Sequence, residues 1–296
     1  MLLLPKFDYY EPKELTEACR LLSETGSKAK IIAGGTDILV NMKKGLISPK
    51  VLVSLGRISR LSEVERMNKS ITIGSHLIIA KLAEFDLIRK RFSILASAAK
   101  VLGSPLVRNR ATIGGNIVTA RPAADLPPVL MALGAKVKLK SRRSEREVAL
   151  DDFFIGPGAT VIKPDEILTR VIIPETPSYT GGHYIKLGHR KALEIAIVAV
   201  ASKITLNKPD GVIKDAKIVL SAVAPKAVHA KSAEEVLIGE KPSAKLFEEA
   251  ASLAMNDCKP ITDIRGGVDY RQAMVEILTR RTLSFAWKEA KKGKKQ

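Results

Sequence analysis

The segments KIIAGGTD (residues 30–37) and ATIGGN (residues 111–116) decide the fold of this 296-residue chain. In each, a short apolar run, which predicts a buried strand, ends in two consecutive glycines. Glycine adopts positive φ without strain, and successive N–H groups in such a turn form a concave anion site. Thr36, Thr112 and Asn116 add short hydrogen-bonding side chains. From these residues alone, two ordinary tight turns and one shared anion site are equally open interpretations.

The first glycine turn belongs to a small strand–helix–strand unit at about residues 1–57. Apolar residues between 15 and 22 recur at three- and four-residue steps, which predicts a helix that ends at Gly26. Strands are predicted at residues 30–33 and 51–55.

The second glycine turn belongs to a larger unit at about residues 58–176. The alternating pattern at 71–74 predicts a strand, and apolar residues spaced between Ile88 and Leu102 predict one amphipathic helix. A short helix is predicted at 128–133, and further strands at 136–140 and 167–173.

A stretch rich in proline, glycine and threonine, residues 174–182, predicts the boundary of a C-terminal domain at 177–290. Strands followed by helices predict a sheet with helices on one face. The strands are expected at 195–206 and 217–223, and the helices at 232–237, 243–256 and 268–288. Residues 291–296 are expected to form a basic tail.

Composition bounds the possible functions. The net charge is +18, but the 49 lysines and arginines are spread along the chain and do not alternate with aromatic residues, which make up only 4%. A solvated surface or a basic face for an acidic partner subunit therefore explains the charge better than nucleic-acid binding.

Cysteines and histidines are sparse. The two cysteines, Cys19 and Cys258, form no CxxC pair, and the four histidines show no metal-ligand spacing, so we expect no metal site in this chain. Unpaired cysteines and the lack of a membrane-spanning apolar run predict a cytoplasmic protein. The sequence contains neither GxGxxG nor GxxxxGK[ST], and we expect no catalytic residue.

Four segments in register resemble a known family. They are IIAGGTDILVNMKKG (31–45), RNRATIGGNIVTARPAADLPPVLMALGAKVKL (108–139), GGHYIKLGHRKALEIAIVAVA (181–201) and DIRGGVDYRQAMVEIL (263–278). Together they are similar to the FAD-binding, or medium, subunit of the molybdenum hydroxylases of the xanthine dehydrogenase and carbon monoxide dehydrogenase type. The resemblance implies an α+β fold: a two-subdomain FAD-binding domain of the vanillyl-alcohol-oxidase (PCMH) type at 1–176, followed by a C-terminal sheet-and-helix domain.

The resemblance also implies cofactor-binding residues. The first pyrophosphate loop would be Ala33, Gly34, Gly35, Thr36 and Asp37, flanked by Ile32, Ile38 and Leu39, and the second would be Thr112, Ile113, Gly114, Gly115 and Asn116. Asp125 corresponds to an acidic residue that hydrogen-bonds the cofactor, Leu168 to an apolar residue beside adenine or flavin, and Lys186 to a basic residue near the isoalloxazine. Leu102 stands where some relatives place an aromatic ring, and a leucine cannot stack in that way. Arg190 falls in a loop that, in relatives, moves near the flavin.

The implied function is electron transfer. A non-covalently bound FAD would pass electrons from 2Fe-2S clusters on a small iron–sulfur subunit to an acceptor. Molybdopterin would be bound by a large partner subunit, and the complex would be a dimer of heterotrimers.

Two alternatives stay open at this stage. One is a stand-alone reductase of the same fold that resembles UDP-N-acetylenolpyruvoylglucosamine reductase, although no proton donor for it is visible. The other is a basic nucleic-acid-binding protein.

Overall fold

The computed structural model describes residues 3–190 and 193–293. The first unit is a three-stranded parallel sheet in the order β1-β3-β2. Its elements are β1 (Asp8–Tyr10), α1 (Leu15–Thr25), β2 (Ala29–Ile32), α2 (Ile38–Lys43) and β3 (Val51–Ser54). Helix α1 packs Ala18, Cys19 and Leu22 onto this sheet and ends at Gly26, where φ is +57°. The predicted helix and both predicted strands are confirmed, whereas β1 and α2 were not predicted.

The second unit is a five-stranded antiparallel sheet with helices against it, in the order β4-β5-β10-β6-β7. The strands are β4 (Val64–Met67), β5 (Ser70–Gly74), β6 (Lys136–Lys140), β7 (Glu145–Ala149), a small hairpin of β8 (Phe154–Gly156) and β9 (Ala159–Thr160), and β10 (Ile167–Pro174). The helices are α3 (Ile79–Glu84), α4 (Asp86–Arg91), α5 (Ser93–Val101), α6 (Pro105–Arg108), α7 (Ile113–Val118), α8 (Leu126–Ala132) and α9 (Leu150–Phe153).

The prediction of a single helix between Ile88 and Leu102 is wrong, because the structure has two helices there. Phe92 has non-helical dihedrals, φ −135° and ψ 61°, and separates α4 from α5. Its side chain is buried, with 2% of its surface exposed, in the same core as Ile88 and Leu95. The apolar spacing therefore identified the buried face correctly, but it could not detect a break at a residue that packs into that same face.

The C-terminal domain is a four-stranded antiparallel sheet that is covered on both faces. Its order is β11-β12-β13-β14, with β11 (Thr180–Leu187), β12 (Val198–Leu206), β13 (Ile213–Ser221) and β14 (Val228–His229). Helices α10 (Lys231–Glu235), α11 (Ala244–Ala254) and α12 (Val268–Lys292) follow.

The two faces of β12 have different neighbours because side chains alternate along a strand. Val198 and Val200 point into a core shared with α11 and α12. Ala199 and Ala201 point into the core of the second unit. The helices of the C-terminal domain thus cover one face of its sheet, as expected. On the other face, the small side chains of Ala199 and Ala201 let the two domains pack closely.

Three element boundaries in the C-terminal domain differ from the expectations. The strands predicted at 195–206 and 217–223 begin at Val198 and Ile213. Helix α12 continues to Lys292, so the predicted basic tail is helical where it begins, and its residues 294–296 lie outside the described residues.

Candidate cofactor site

The first glycine loop, residues 33–37, connects β2 to α2. Gly35 has a φ of +77°, a region that L-residues with a side chain adopt only with strain. The backbone amides of Gly34, Gly35, Thr36 and Asp37 donate no hydrogen bond to any residue that the structure describes. The loop therefore presents a run of uncommitted N–H donors, as an anion-binding turn requires.

Gly34 brings this loop into contact with the second subdomain. A Cβ atom at Gly34 would lie 2.0 Å from the carbonyl oxygen of Arg110 and 3.0 Å from the Cα atom of Ala111. Arg110 and Ala111 immediately precede the second glycine motif. Gly34 and Ala111 are 77 residues apart in the sequence, yet the two motifs are adjacent in space. Only glycine at position 34 permits this close approach.

The second glycine motif is not a turn after a strand, which corrects the prediction. Thr112 is the N-cap of α7, with its Oγ1 accepting from the Gly115 amide at 3.1 Å, and Gly114 and Gly115 belong to the helix. The amides of Gly114 and Asn116 donate to the carbonyls of Ser75 at 2.8 Å and Thr112 at 3.0 Å. A Thr-x-x-Gly sequence is compatible with an N-cap, but the flanking Ala111 and Ile113 suggested a strand instead.

The two glycines of α7 serve different purposes. A Cβ atom at Gly114 would lie 2.8 Å from both the Cβ atom and the carbonyl oxygen of Ser75, so Gly114 permits close packing against the end of β5. Apart from the backbone of α7 itself, a Cβ atom at Gly115 would contact only Thr112 Oγ1, at 3.0 Å, among the described residues. Gly115 therefore keeps a face of the cleft open.

The two motifs form the walls of one limb of a cleft, with a cavity volume of about 470 Å³. This first limb lies between the two subdomains, and its volume is within the usual range of ligand sites, about 300–1,000 Å³. Twelve of the predicted site residues line it: Ala33, Gly34, Gly35, Thr36, Asp37, Ile38, Leu102, Thr112, Gly114, Gly115, Asn116 and Leu168.

A second limb of about 680 Å³ continues the cleft towards the C-terminal domain. The two limbs adjoin along five residues that line both of them: Thr36, Asp37, Leu102, Asn116 and Thr119. The predicted Asp125 lines the second limb. A cleft with two joined limbs suits an elongated ligand better than a compact one.

Four predicted residues line neither limb: Ile32, Leu39, Ile113 and Lys186. Ile113 is fully buried in the core of the second unit. Ile32 and Leu39 lie behind the first loop, where a Cβ atom at Gly35 would be 3.6 Å and 3.0 Å from their side chains. These three support the loops from behind.

Asp125 and Lys186 form a buried ion pair at the junction of the two domains. The Asp125 carboxylate accepts from Lys186 Nζ at 2.9 Å and from the Tyr184 hydroxyl at 2.9 Å. Asp125 makes no side-chain cap to α8; instead Asn116 Oδ1 accepts from the Leu126 amide at 3.3 Å. Burial raises the pKa of the Asp125 carboxyl, an effect that Lys186 and Tyr184 oppose. Burial, together with the Asp125 carboxylate, raises the pKa of Tyr184 well above its ordinary value.

Arg271 is a further buried residue of the second limb that the sequence did not single out. Only 1% of it is exposed, and its guanidinium donates to Asp263 at 2.7 Å and to the carbonyls of Ile197 and Ala222 at 2.8 and 2.9 Å. Arg271 lies in the DIRGGVDYR segment, one of the four segments that resemble the family. That resemblance was the signal by which the sequence could have identified Arg271 as a site residue. Arg271 ties α12 to the ends of β12 and β13 beside the cleft.

The loop of Arg190 reaches the rim of the second limb. Arg190 Nε donates to Glu194 Oε2 at 3.0 Å, and Glu194 lines this limb. A role for Arg190 near a flavin stays a prediction, and residues 191 and 192 lie outside the described residues.

Within residues 3–190 and 193–293, no cluster of three or more His, Cys, Asp or Glu side chains is arranged to hold a metal ion. In the same described part of the chain, no helix is long and apolar enough to cross a membrane.

Comparison with known proteins defines the class of protein. Residues 5–176 match the family described as the FAD binding domain in molybdopterin dehydrogenase, and residues 183–286 match the CO dehydrogenase flavoprotein C-terminal domain. The chain belongs to this family of molybdenum-hydroxylase FAD-binding subunits, as the sequence motifs indicated. It is thereby an FAD-dependent oxidoreductase subunit, which disfavours the nucleic-acid-binding alternative.

Individual relatives agree over nearly the whole length. The chain is 32% identical to the carbon monoxide dehydrogenase medium chain of Hydrogenophaga pseudoflava, covering 96% of this chain and 98% of the relative. It is also 32% identical to the nicotine 6-hydroxylase medium subunit of Paenarthrobacter nicotinovorans, covering 95% and 97%. A solved structure of carbon monoxide dehydrogenase from H. pseudoflava superposes with a TM-score of 0.93 and 32% identity, covering 97% of this chain and 99% of that chain. The predicted α+β fold with a C-terminal domain is confirmed.

Proposed function

We propose that this chain binds one FAD non-covalently across both limbs and transfers electrons from an iron–sulfur partner chain to an acceptor. The pyrophosphate would lie between the two glycine motifs, the adenosine in the first limb, and the isoalloxazine towards the second. The contact of Gly34 with Arg110 carries the proposal, because it brings both motifs to one cleft.

The residues present fit an FAD. The four uncommitted amides of residues 34–37 suit the oxygens of a pyrophosphate, and the open face at Gly115 leaves room for it. When bound, FAD supplies the ability to exchange single electrons with iron–sulfur clusters and electron pairs with an acceptor. The contribution of the chain is to bind the cofactor, orient it and exclude water from part of it.

Residues of the second limb would orient the isoalloxazine. Leu102 is 5% exposed and lies where the limbs meet, so it offers an apolar contact without ring stacking. The Asp125 carboxylate, which accepts from both Lys186 and the Tyr184 hydroxyl, fixes the C-terminal domain against the FAD-binding unit at the cleft wall. We propose that Asp125, which lines the second limb, contacts the cofactor directly, and that Lys186, which lines neither limb, acts on it through the ion pair with Asp125.

Non-covalent binding is supported by the lining of the cleft. Among the residues described, neither limb is lined by a cysteine or a histidine that could form a covalent bond to the flavin.

The proposed partners are a molybdenum-cofactor large subunit and a 2Fe-2S small subunit, assembled as a dimer of heterotrimers. The relatives are named as a medium chain and a medium subunit, which supports a multi-chain complex. The charge of +18 suits docking against acidic surfaces, since complementary charge accelerates encounter and fixes orientation. We further propose a reducing, cytoplasmic location, which two buried unpaired cysteines support.

A series of glycine variants tests the cleft. In Gly115→Val the new side chain enters the first limb at a helical position, so FAD affinity should fall at least about tenfold while the apo chain still folds. Gly35→Val combines positive φ with a contact to Leu39 and should lower both FAD affinity and stability.

Gly45→Val is the matched control. Gly45 also has a positive φ, +71°, but lines neither limb. It should lose stability while the affinity for FAD, measured by quenching of flavin fluorescence, stays at the parent value. Unchanged FAD affinity in both Gly35→Val and Gly115→Val would contradict the proposed placement.

Co-expression tests the partner chains. Co-expressed with a molybdenum subunit and an iron–sulfur subunit of this family, the chain should elute in one complex whose flavin absorbance bleaches when the substrate of the molybdenum subunit is added. A chain that stays monomeric beside those partners and turns over a specific organic substrate with NADH would instead favour the stand-alone reductase.

A further inference from the structure

Ser75 is an enclosed hydroxyl residue on the wall of the first limb, directly after β5. It is 4% exposed and lines the limb together with Gly114 and Gly115. Its Oγ atom is fully enclosed and has no hydrogen-bond partner among the residues that the structure describes. Buried polar groups without a partner are uncommon in folded proteins, so each one calls for a physical reason.

The main chain at Ser75 is held from both sides. Its amide donates to the Thr169 carbonyl at 2.9 Å, and its carbonyl accepts from the Gly114 amide at 2.8 Å. A Cβ atom at Gly114 would lie 2.8 Å from the Ser75 Cβ atom, so the two segments are in direct contact. Only rotation about the Cα–Cβ bond remains free, and that bond has three staggered positions.

The first residues of α7, on the side of the cleft where Ser75 lies, offer no free backbone donors. The amides of Ile113, Gly114, Gly115 and Asn116 all donate within the protein. A phosphate group against the start of α7 therefore depends largely on side-chain donors. Thr112 Oγ1 accepts a hydrogen bond from the Gly115 amide, so the hydroxyl proton of Thr112 remains available to a ligand. The Ser75 hydroxyl is a second donor that makes no other hydrogen bond within the described residues.

We propose that Ser75 is a further FAD-binding residue, which turns its hydroxyl into the first limb and donates a hydrogen bond to the pyrophosphate. The proposal rests on the proposed FAD function. On one side the pyrophosphate meets backbone amides of the first loop, and on the other it meets the hydroxyls of Ser75 and Thr112. Hydrogen bonds to ionised acceptors are stronger than those between neutral groups, so this contact offsets the cost of the enclosed hydroxyl.

Ser75→Ala distinguishes a binding role from a structural one. Removal of an unpartnered hydroxyl should leave the stability of the apo chain in urea unchanged or raised. FAD should bind about 10- to 100-fold more weakly, as expected for a lost hydrogen bond to a charged group. ADP, which retains the pyrophosphate, should lose affinity by a similar factor. Ser75→Ala should thus lower the affinity for FAD and ADP without lowering the stability of the apo chain.

Thr279→Val is the matched control. Thr279 lies in α12, and its Oγ1 is likewise enclosed and without a partner in the part of the chain that the structure describes. The variant should behave like Ser75→Ala in urea and like the parent in FAD binding.

The outcomes separate the two proposals. A parent chain that does not bind FAD refutes the proposed function, and the Ser75 proposal with it. A parent that binds FAD while Ser75→Ala binds it equally well overturns the Ser75 proposal alone. The same holds if Ser75→Ala destabilises the apo chain to the extent that it weakens FAD binding, because the residue is then structural.

Discussion

His229 should make the stability of the protein depend on pH in the weakly alkaline range. It ends β14, and its Nδ1 lies 2.6 Å from Glu234 Oε1 while its Nε2 lies 3.2 Å from Asp151 Oδ1. Asp151 belongs to α9 of the FAD-binding unit, so the imidazole links the two domains. Burial by itself would lower the pKa of His229, but the hydrogen bonds and charges of Asp151 and Glu234 outweigh it and raise the pKa to about 9.

The magnitude follows from this change in pKa. The ordinary value is 6.5, and a change of one in pKa corresponds to about 1.4 kcal/mol, so protonated His229 contributes up to about 3 kcal/mol to the free energy of unfolding. Because the folded-state pKa is raised, this contribution is complete below pH 6.5 and is lost as the pH rises through about 9. The steepest loss would be about 1.4 kcal/mol per pH unit.

Urea denaturation between pH 6 and pH 10 measures the effect. His229→Gln should be less stable than the parent at pH 6, and the two curves should converge by about pH 10. Asp151→Asn removes the more exposed of the two partners and should retain part of the pH dependence, because Glu234 remains. Parallel curves for the parent and His229→Gln between pH 6.5 and 9 would refute the reasoning.

Three further predictions concern the cleft and its surroundings. FAD at a hundred times its dissociation constant should stabilise the chain by about 2.7 kcal/mol and raise its Tm in a thermal scan, whereas FMN, which lacks the pyrophosphate bridge, should raise it much less; equal shifts would count against the assignment. Gly34→Ala should lower both stability and FAD affinity, because its Cβ would lie 2.0 Å from the Arg110 carbonyl oxygen, and unchanged binding in a titration would contradict the contact between the motifs. Arg271→Leu should reduce the free energy of unfolding by about 1–3 kcal/mol, since it leaves the carbonyls of Ile197 and Ala222 without their partner while Asp263 keeps its ion pair with Arg265; an unchanged free energy of unfolding in urea would disprove this anchoring role.

The sequence predicted elements best where the local pattern and the tertiary packing agree. Strand β6 occupies the predicted residues 136–140, and α1 ends at Gly26 as expected. Strand β1 was missed because it is a three-residue strand with exposed side chains, so no apolar alternation marks it. The break at Phe92 was missed because apolar spacing reports burial and carries no information on dihedrals.

The site was only partly predictable, since its decisive contacts join distant residues. The glycine pairs identified both loops, but the reason for Gly34 is a carbonyl contributed by Arg110 in another subdomain. The pairing of Asp125 with Lys186 likewise spans 61 positions and depends on how the C-terminal domain packs. Ser75 carries no sequence signal at all, because an isolated serine after a strand is ordinary until its burial is seen.

Release of the cofactor tests the central claim most directly. The chain, purified and supplied with FAD, should be precipitated with acid and the supernatant analysed for flavin by chromatography and absorbance. We predict one equivalent of intact FAD per chain in the supernatant and a colourless pellet. Flavin retained in the pellet would contradict non-covalent binding. FMN in place of FAD, or no flavin after supplementation, would contradict a cleft that holds the pyrophosphate between its two glycine motifs.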